Sequence, residues 1–183
     1  MFKLVTYAEL INVLQSYGQY LIFIGSISCE NSQAVMRFIN EEAVKNGADT
    51  VYMWDPKLDG MSDSLSAMNE SNDYAGMYVE VLKYLGKNFW SQINTDSGIY
   101  FPIGGEEESY YTICAPILLL YDKDNYLNGK HSPVTAMFES ELVWNITAVN
   151  SSIAPGGQPA PLVKLKLDTL FAELRFDAGA DGK

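Results

Sequence analysis

A strand, a helix and a second strand follow one another with short connections early in the chain. Residues 20–24 form a nearly all-apolar run, which is typical of a central strand covered on both faces. Apolar residues then recur at helical spacing over residues 32–45, and residues 49–54 predict another central strand, closed by Asp55-Pro56. Since two strands joined in this way lie parallel with a right-handed crossover, the sequence predicts an α/β fold.

Further elements flank this unit on both sides. Residues 2–5 predict a short edge strand, and Thr6 with Glu9 forms the capping box of a following helix. Turn signals at residues 122–125 and at Asn128-Gly129 separate two later strands. The remaining predicted elements are a helix over residues 74–85, a buried strand over 117–121, its antiparallel partner over 134–143 and a closing helix over 163–174.

Composition limits the class of protein. A chain of 183 residues suits one domain, and 48% hydrophobic with 19% charged residues excludes a disordered or fibrous protein. Two cysteines are too few for a disulfide scaffold, and no apolar run approaches the length needed to cross a bilayer. No secretion signal is visible at the first residue. We therefore expect a cytoplasmic protein as the chain stands, and an exported one if a leader has been removed.

Negative charge narrows the choice of partners. The net charge of −11 argues against nucleic acid or an anionic membrane surface as a partner. Residues 55–108 hold ten Asp and Glu against three Lys, or −7 of that total. We interpret residues 55–110 as a solvated, mainly helical insertion, with a short helix over 61–70 and an irregular part over 88–108. A site for a metal or a cationic partner is the alternative interpretation.

A cysteine lies where the first central strand gives way to the helix. Cys29 is expected at the helix N-terminus, where unpaired N–H groups and the positive end of the helix dipole favour the reactive thiolate. Ser28 is predicted to be the N-cap of that helix. The alternative is that Cys29 is a small residue retained at a tight turn without catalytic use.

Two short motifs carry a resemblance to a known family. The first is Cys29-Glu-Asn-Ser32 after a central strand, and the second is Cys114-Ala115-Pro116 before the strand at 117–121. Together with the order of elements, they resemble the thioredoxin-like superfamily, as an atypical member with Cys-x-x-Ser in place of Cys-x-x-Cys. The resemblance covers residues 1–54 and 111–176. It implies a single domain over residues 1–183, a three-layer sandwich with a central mixed sheet, enlarged by the helical insertion.

The resemblance also implies roles for individual residues. Cys29 matches the nucleophilic cysteine, and Ser32 occupies the position of the resolving cysteine. Pro116 matches a proline that is cis in the family, packs beside the nucleophile and, with its neighbour Ala115, helps to hold extended peptide substrates. The implied substrates are protein or peptide thiols and disulfides, or glutathione.

Three departures from the family pattern limit the implied chemistry. Ser32 cannot close a disulfide with Cys29, although its hydroxyl could donate a hydrogen bond to the thiolate, so only monothiol chemistry is expected. Ser28 stands where the family often has an aromatic residue. Phe23 stands where many thioredoxins carry a buried acid that assists proton transfer.

The second cysteine has two interpretations. Free cysteines are usually buried and inert, and Cys114 is interpreted so first. In this fold, however, the loop before the cis-proline lies close to the nucleophile. A Cys29–Cys114 disulfide, or Cys114 acting as a substitute resolving thiol, is therefore a second hypothesis, which requires Cα atoms within about 7 Å.

Other polar motifs are weaker. His131, the single histidine, is interpreted as a solvated loop residue, with a Cys29–His131 nucleophile pair as the alternative. One His and two distant Cys give no zinc spacing, and Asp122-x-Asp124 lacks the glycine and the acid of a calcium loop, so we predict neither a metal nor a cofactor.

Two functions from different classes remain open. The first is monothiol disulfide exchange or isomerisation through Cys29. The second is a redox-inactive protein-binding module that keeps the peptide-holding edge and takes specificity from the acidic insertion.

Overall fold

A computed structural model describes residues 1–60, 74–86, 98–103, 106–111, 116–139 and 161–174. The elements are, in chain order, β1 (Phe2–Val5), α1 (Tyr7–Gln15), β2 (Gln19–Ile24), α2 (Glu30–Lys45), β3 (Val51–Trp54), a 3₁₀ turn (Pro56–Asp59), α3 (Tyr74–Leu85), β4 (Gly98–Ile103), β5 (Glu106–Tyr111), β6 (Ile117–Asp122), β7 (Tyr126–Leu127), β8 (Lys130–His131), β9 (Val134–Glu139) and α4 (Pro161–Ala172).

A mixed five-stranded sheet with strand order β1–β3–β2–β6–β9 forms the centre of the molecule. Strands β1 and β2 both pair parallel with β3, which confirms the predicted parallel pair. Strand β6 pairs antiparallel with β2 and with β9, which confirms the predicted antiparallel partner. The α/β class is therefore confirmed, with a parallel half and an antiparallel half in one sheet.

Each face of the sheet carries its own apolar core, because successive side chains of a strand point to opposite faces. Helices α1 and α3 cover one face, where Leu10 and Leu82 pack against sheet residues such as Ile22. Helices α2 and α4 cover the other face, where Phe38 and Leu167 are buried. The predicted apolar stripes of all four helices therefore point into the two cores.

The capping box predicted at the start of α1 is present. The N–H of Glu9 donates to the Thr6 hydroxyl (3.3 Å), and the N–H of Thr6 donates to the Glu9 carboxylate (2.8 Å). These bonds satisfy two donors that would otherwise lack partners at a helix start. Helix α1 consequently begins right after β1, and its residues Leu10 and Leu14 are fully buried.

The predicted insertion differs from expectation where it is described. Helix α3 belongs to one of the two cores, with Tyr78 and Leu85 buried. The prediction of an irregular segment over residues 88–108 is wrong for 98–103 and 106–108, because β4 and β5 pair there as an antiparallel hairpin. A signal in the sequence is the strand-forming residues Ile99-Tyr100-Phe101 and Tyr110-Tyr111, which lie on either side of Gly104-Gly105.

Some predictions lie outside the described residues. They are the short helix over residues 61–70, the irregular segment over residues 88–97 and 104–105, and the part of the antiparallel strand beyond residue 139. Within the described ranges, no helix is both long and apolar enough to cross a bilayer.

Candidate functional site: the thiol loop

The residues between β2 and α2, residues 25–29, form a short connection that we call the thiol loop. Its position follows from the sheet register, in which Ile24 pairs with Trp54 of β3 and with Ile117 of β6. One residue beyond these partners lie Asp55 and Pro116. The thiol loop, the residues after β3 and Pro116 therefore lie at the same end of these strands, an edge of the sheet that we call the thiol edge. The predicted packing of Pro116 beside Cys29 stays a prediction.

Cys29 itself is the N-cap of α2, with φ −91° and ψ 119°. The prediction that Ser28 is the N-cap is therefore wrong by one residue, and the reason is local. Residues 26–29 form a turn in which the Cys29 N–H donates to the Ser26 carbonyl (3.0 Å), so the chain enters the helix at Cys29. The Cys29 side chain makes no capping hydrogen bond, is half-buried and is a free thiol.

Ser32, the residue in the resolving position, is completely buried in the first turn of α2. Its Oγ accepts a hydrogen bond from the Ser26 N–H (3.2 Å). The hydroxyl thus satisfies a buried backbone donor of the thiol loop, a contact that the sequence did not suggest. The predicted hydrogen bond from Ser32 to a Cys29 thiolate stays a prediction.

Gly25 is required at the start of the thiol loop by lack of space. A Cβ at this position would lie 2.7 Å from the Phe23 ring and 2.8 Å from Ser32 Oγ. The Gly25 N–H also donates to the Trp54 carbonyl (3.1 Å), which continues the pairing of β2 with β3. The loop is therefore packed directly onto the sheet edge.

Asp55 is a buried acid at this edge that sequence reasoning missed, with only 1% of its surface exposed. Its Oδ2 accepts the Ile27 N–H (3.0 Å), and its Oδ1 accepts the Lys57 N–H (3.1 Å). A signal existed in the sequence, because the carboxyl ends of adjacent parallel strands meet at one edge. A polar residue directly after β3, such as Asp55, is therefore expected to lie near the loop that follows β2.

Polar side chains complete the contacts of the loop. Lys57 Nζ donates to Ser28 Oγ (3.1 Å), which lies 2.9 Å from Ser26 Oγ. Gln33 Nε2 donates to the Ile27 carbonyl (2.7 Å). The loop backbone is thus fixed by α2 on one side and by the turn after β3 on the other.

The second predicted motif is described only at its last residue. Pro116 is buried and directly precedes β6. Cys114 and Ala115 lie outside the described residues. The proposed second thiol, the Cys29–Cys114 disulfide and the role of Ala115 in substrate binding therefore stay predictions.

The weaker motifs lie away from this site. His131 is exposed in β8, in the connection that follows β6, and β6 ends beside Gln19 at the opposite edge of the sheet. Its ring Nε2 lies 2.6 Å from the Lys123 carbonyl. Asp122 accepts the Asp124 N–H (3.0 Å), which confirms a turn there. Among the described residues, no group of three or more His, Cys, Asp or Glu could hold a metal ion.

Comparisons with family models, with curated proteins and with solved structures found no match to this chain. The interpretation of the site therefore depends on its own geometry. A half-buried thiol at the N-terminus of a 16-residue helix lies on a fixed loop, at the edge that also carries Pro116. Such a thiol can act as a nucleophile in its thiolate form.

Proposed function

We propose that this chain is a thioredoxin-like protein in which Cys29 exchanges disulfides as a single thiol. The observation that carries the proposal is the sheet register, which brings the N-cap of α2 and Pro116 to one edge. The strand order β1–β3–β2–β6–β9, with two parallel and two antiparallel pairings and only β6 running opposite to the other strands, also supports it. So does the arrangement of two helices on each face.

The first chemical step is the capture of a disulfide. The Cys29 thiolate attacks one sulfur of a substrate disulfide, a new bond forms between Cys29 Sγ and that sulfur, and the substrate S–S bond breaks. The other substrate sulfur leaves as a thiolate, which takes a proton from water. No net oxidation occurs, because one disulfide replaces another.

The second step needs a thiol from outside this turn of helix. Ser32 has no sulfur, and its Oγ accepts the Ser26 N–H. The mixed disulfide is therefore opened by a thiolate of the same substrate or of glutathione, which attacks the substrate sulfur and releases the Cys29 thiolate. This sequence exchanges or isomerises substrate disulfides without an external oxidant or reductant.

A peptide carrying an aromatic thiol in disulfide linkage tests the capture step. Attack by Cys29 would join the peptide to the protein and release the aromatic thiolate, which absorbs visible light. We expect one covalent adduct with the wild type and with Cys114→Ser, and none with Cys29→Ser. At about pH 7, capture should exceed the rate of free cysteine about tenfold, because the fold would hold the peptide disulfide beside Cys29 in one orientation. Capture no faster than by free cysteine would refute the proposal.

The same assay tests the hypothesis of Cys114 as a resolving thiol. If Cys114 opens the mixed disulfide, the adduct of the wild type decays without added thiol and the adduct of Cys114→Ser persists. Equal lifetimes would exclude that role.

A redox-inactive peptide-binding module is the second candidate, and one observation favours it. Ile27 and Leu58 are 53% and 57% exposed. The Ile27 N–H donates to Asp55 Oδ2, and the Leu58 N–H donates to the Asp55 backbone carbonyl. Two exposed aliphatic residues are therefore tied through their backbones to the same buried residue, Asp55. Binding of a thiol-free peptide that survives Cys29→Ala but is lost in Ile27→Ser would support this candidate. Binding lost in Cys29→Ala would argue against it.

A further inference from the structure

The buried carboxylate of Asp55 has no role in the exchange steps above. Burying a charge is costly unless hydrogen bonds replace the lost water. At 1% exposure, Asp55 depends on its protein donors, and each carboxylate oxygen accepts one backbone N–H, from Ile27 (3.0 Å) and from Lys57 (3.1 Å). A buried charge in this place therefore needs an explanation.

The two hydrogen bonds join parts of the chain that are distant in sequence. Ile27 lies inside the turn that ends at Cys29, whereas Lys57 belongs to the 3₁₀ turn after β3. Strand β3 lies between β1 and β2 in the sheet, and its residues Val51 and Trp54 are fully buried. The carboxylate thus ties the backbone two residues before the thiol to a rigid part of the molecule.

We propose that Asp55 is a positioning residue for Cys29, an inference that rests on the proposed function. By accepting the Ile27 N–H, the carboxylate fixes the turn over residues 26–29 and hence the orientation of the Cys29 side chain. A peptide lying along the edge beside Pro116 presents its disulfide in one orientation. Misplacement of the attacking atom by about 1 Å can cost about a hundredfold in rate.

Asp55→Asn tests the inference with the smallest change in shape. An amide has one acceptor oxygen, so it can serve either the Lys57 N–H or the Ile27 N–H while its NH₂ group faces the other donor. We expect capture of the peptide disulfide to slow roughly tenfold or more. A small symmetrical aromatic disulfide can approach the thiol from many directions, and its rate should stay that of the wild type.

Asp59→Ala is the control for lost stability, because Asp59 lies in the same 3₁₀ turn and also accepts two hydrogen bonds, but away from the thiol loop. Its Oδ2 accepts the Tyr7 N–H (2.8 Å) and the indole N–H of Trp54 (2.9 Å), and neither bond involves the thiol loop. Alanine removes the acceptor of both bonds, so this variant should lose at least as much stability as Asp55→Asn. Its rates with both the peptide and the small disulfide should match those of the wild type.

The outcomes separate the two proposals. A peptide-specific loss in Asp55→Asn alone supports the positioning role. Equal losses in both variants, or faster reaction of Asp55→Asn with the small disulfide, would show a general loosening and overturn that role while leaving Cys29 chemistry intact. A wild type that captures no peptide would overturn both proposals.

Discussion

The thiol loop and the hairpin at the opposite end of the strands are stabilised by different kinds of contact. At the edge of the thiol loop, Ser32 and Asp55 are buried, and the bond from Ile27 to Asp55 spans 28 positions. At the opposite edge, β7 and β8 form what we call the far hairpin. Asn125 Nδ2 donates to Ser132 O across the base of that hairpin, over seven positions. The thiol edge is thus held by contacts distant in sequence, whereas the far hairpin is held by local ones.

Exposure follows the same division. In the far hairpin, Tyr126 and Leu127 are 64% and 59% exposed, and the turn depends on the left-handed backbone of Asn128 and Gly129. Gly25 in the thiol loop instead meets side chains of the core. A change at the thiol edge should therefore disturb several elements, whereas a change in the far hairpin should stay local.

The largest expected difference comes from adding one methyl group at each edge. Gly25→Ala should lower the free energy of unfolding by about 3 kcal/mol, since the new Cβ would meet the Phe23 ring and Ser32 Oγ below 3 Å. Gly129→Ala meets no atom within 4 Å and strains only its φ of 76°, so its cost should be about 1 kcal/mol. Denaturant unfolding measures both, and equal costs would contradict the division between the edges.

A smaller effect is expected when one hydroxyl is removed. Ser32→Ala leaves the buried Ser26 N–H without its acceptor, which should cost about 2 kcal/mol. Ser28→Ala is the matched control, because Ser28 is exposed and water can replace its partners, and its cost should be under about 0.5 kcal/mol. A neutral Ser32→Ala would mean that the thiol loop does not depend on this contact.

Much of the fold was predictable from local signals. The capping box of Thr6 and Glu9, the apolar runs of β2 and β6 and the stripes of the helices each depend on residues close in sequence. The N-cap of α2 was misplaced by one residue because Ser28 and Cys29 compete for it, and the turn over residues 26–29 decides the outcome.

The contacts of the site were harder to predict, for a physical reason. Asp55 and Lys57 reach the thiol loop only after β2 and β3 have paired, and although the sequence predicts that pairing, it does not show which groups of the loop the two side chains then contact. Ser32 was judged by its place in a motif, whereas its burial beneath Ser26 depends on how α2 packs on the sheet. The position of Cys29 in the sequence thus identified the thiol, but tertiary packing determines which residues hydrogen-bond to the thiol loop.

The far hairpin should tolerate the loss of whole side chains. The rings of Tyr126 and His131 contact each other with centroids 5.4 Å apart, but both side chains are exposed. Tyr126→Ala and His131→Ala should each change stability by less than about 0.5 kcal/mol. Neither variant should alter capture of a peptide disulfide. A loss of capture in His131→Ala would instead support the hypothesis that Cys29 and His131 form a nucleophile pair.

The smallest effect concerns the charge of Glu9 at the thiol edge. Strand β1 ends there at Val5, which pairs with Trp54, and α1 begins two residues later. The pKa of Glu9 lies below its ordinary value, because its carboxylate accepts the Thr6 N–H and bonds the Thr6 hydroxyl. Ionised Glu9 therefore stabilises the fold above the pKa of the unfolded chain, and that contribution is lost as the pH falls through the lower, folded pKa.

Glu9→Gln isolates this charge, since glutamine also serves in a capping box but does not ionise. The variant should be slightly less stable than the wild type at about pH 7, and the difference should shrink as the pH falls through the lowered pKa of Glu9. Urea unfolding across that range measures the difference. A gap between the two chains that stays constant with pH would mean that the hydrogen bonds, rather than the charge, account for the contribution of Glu9 at this edge.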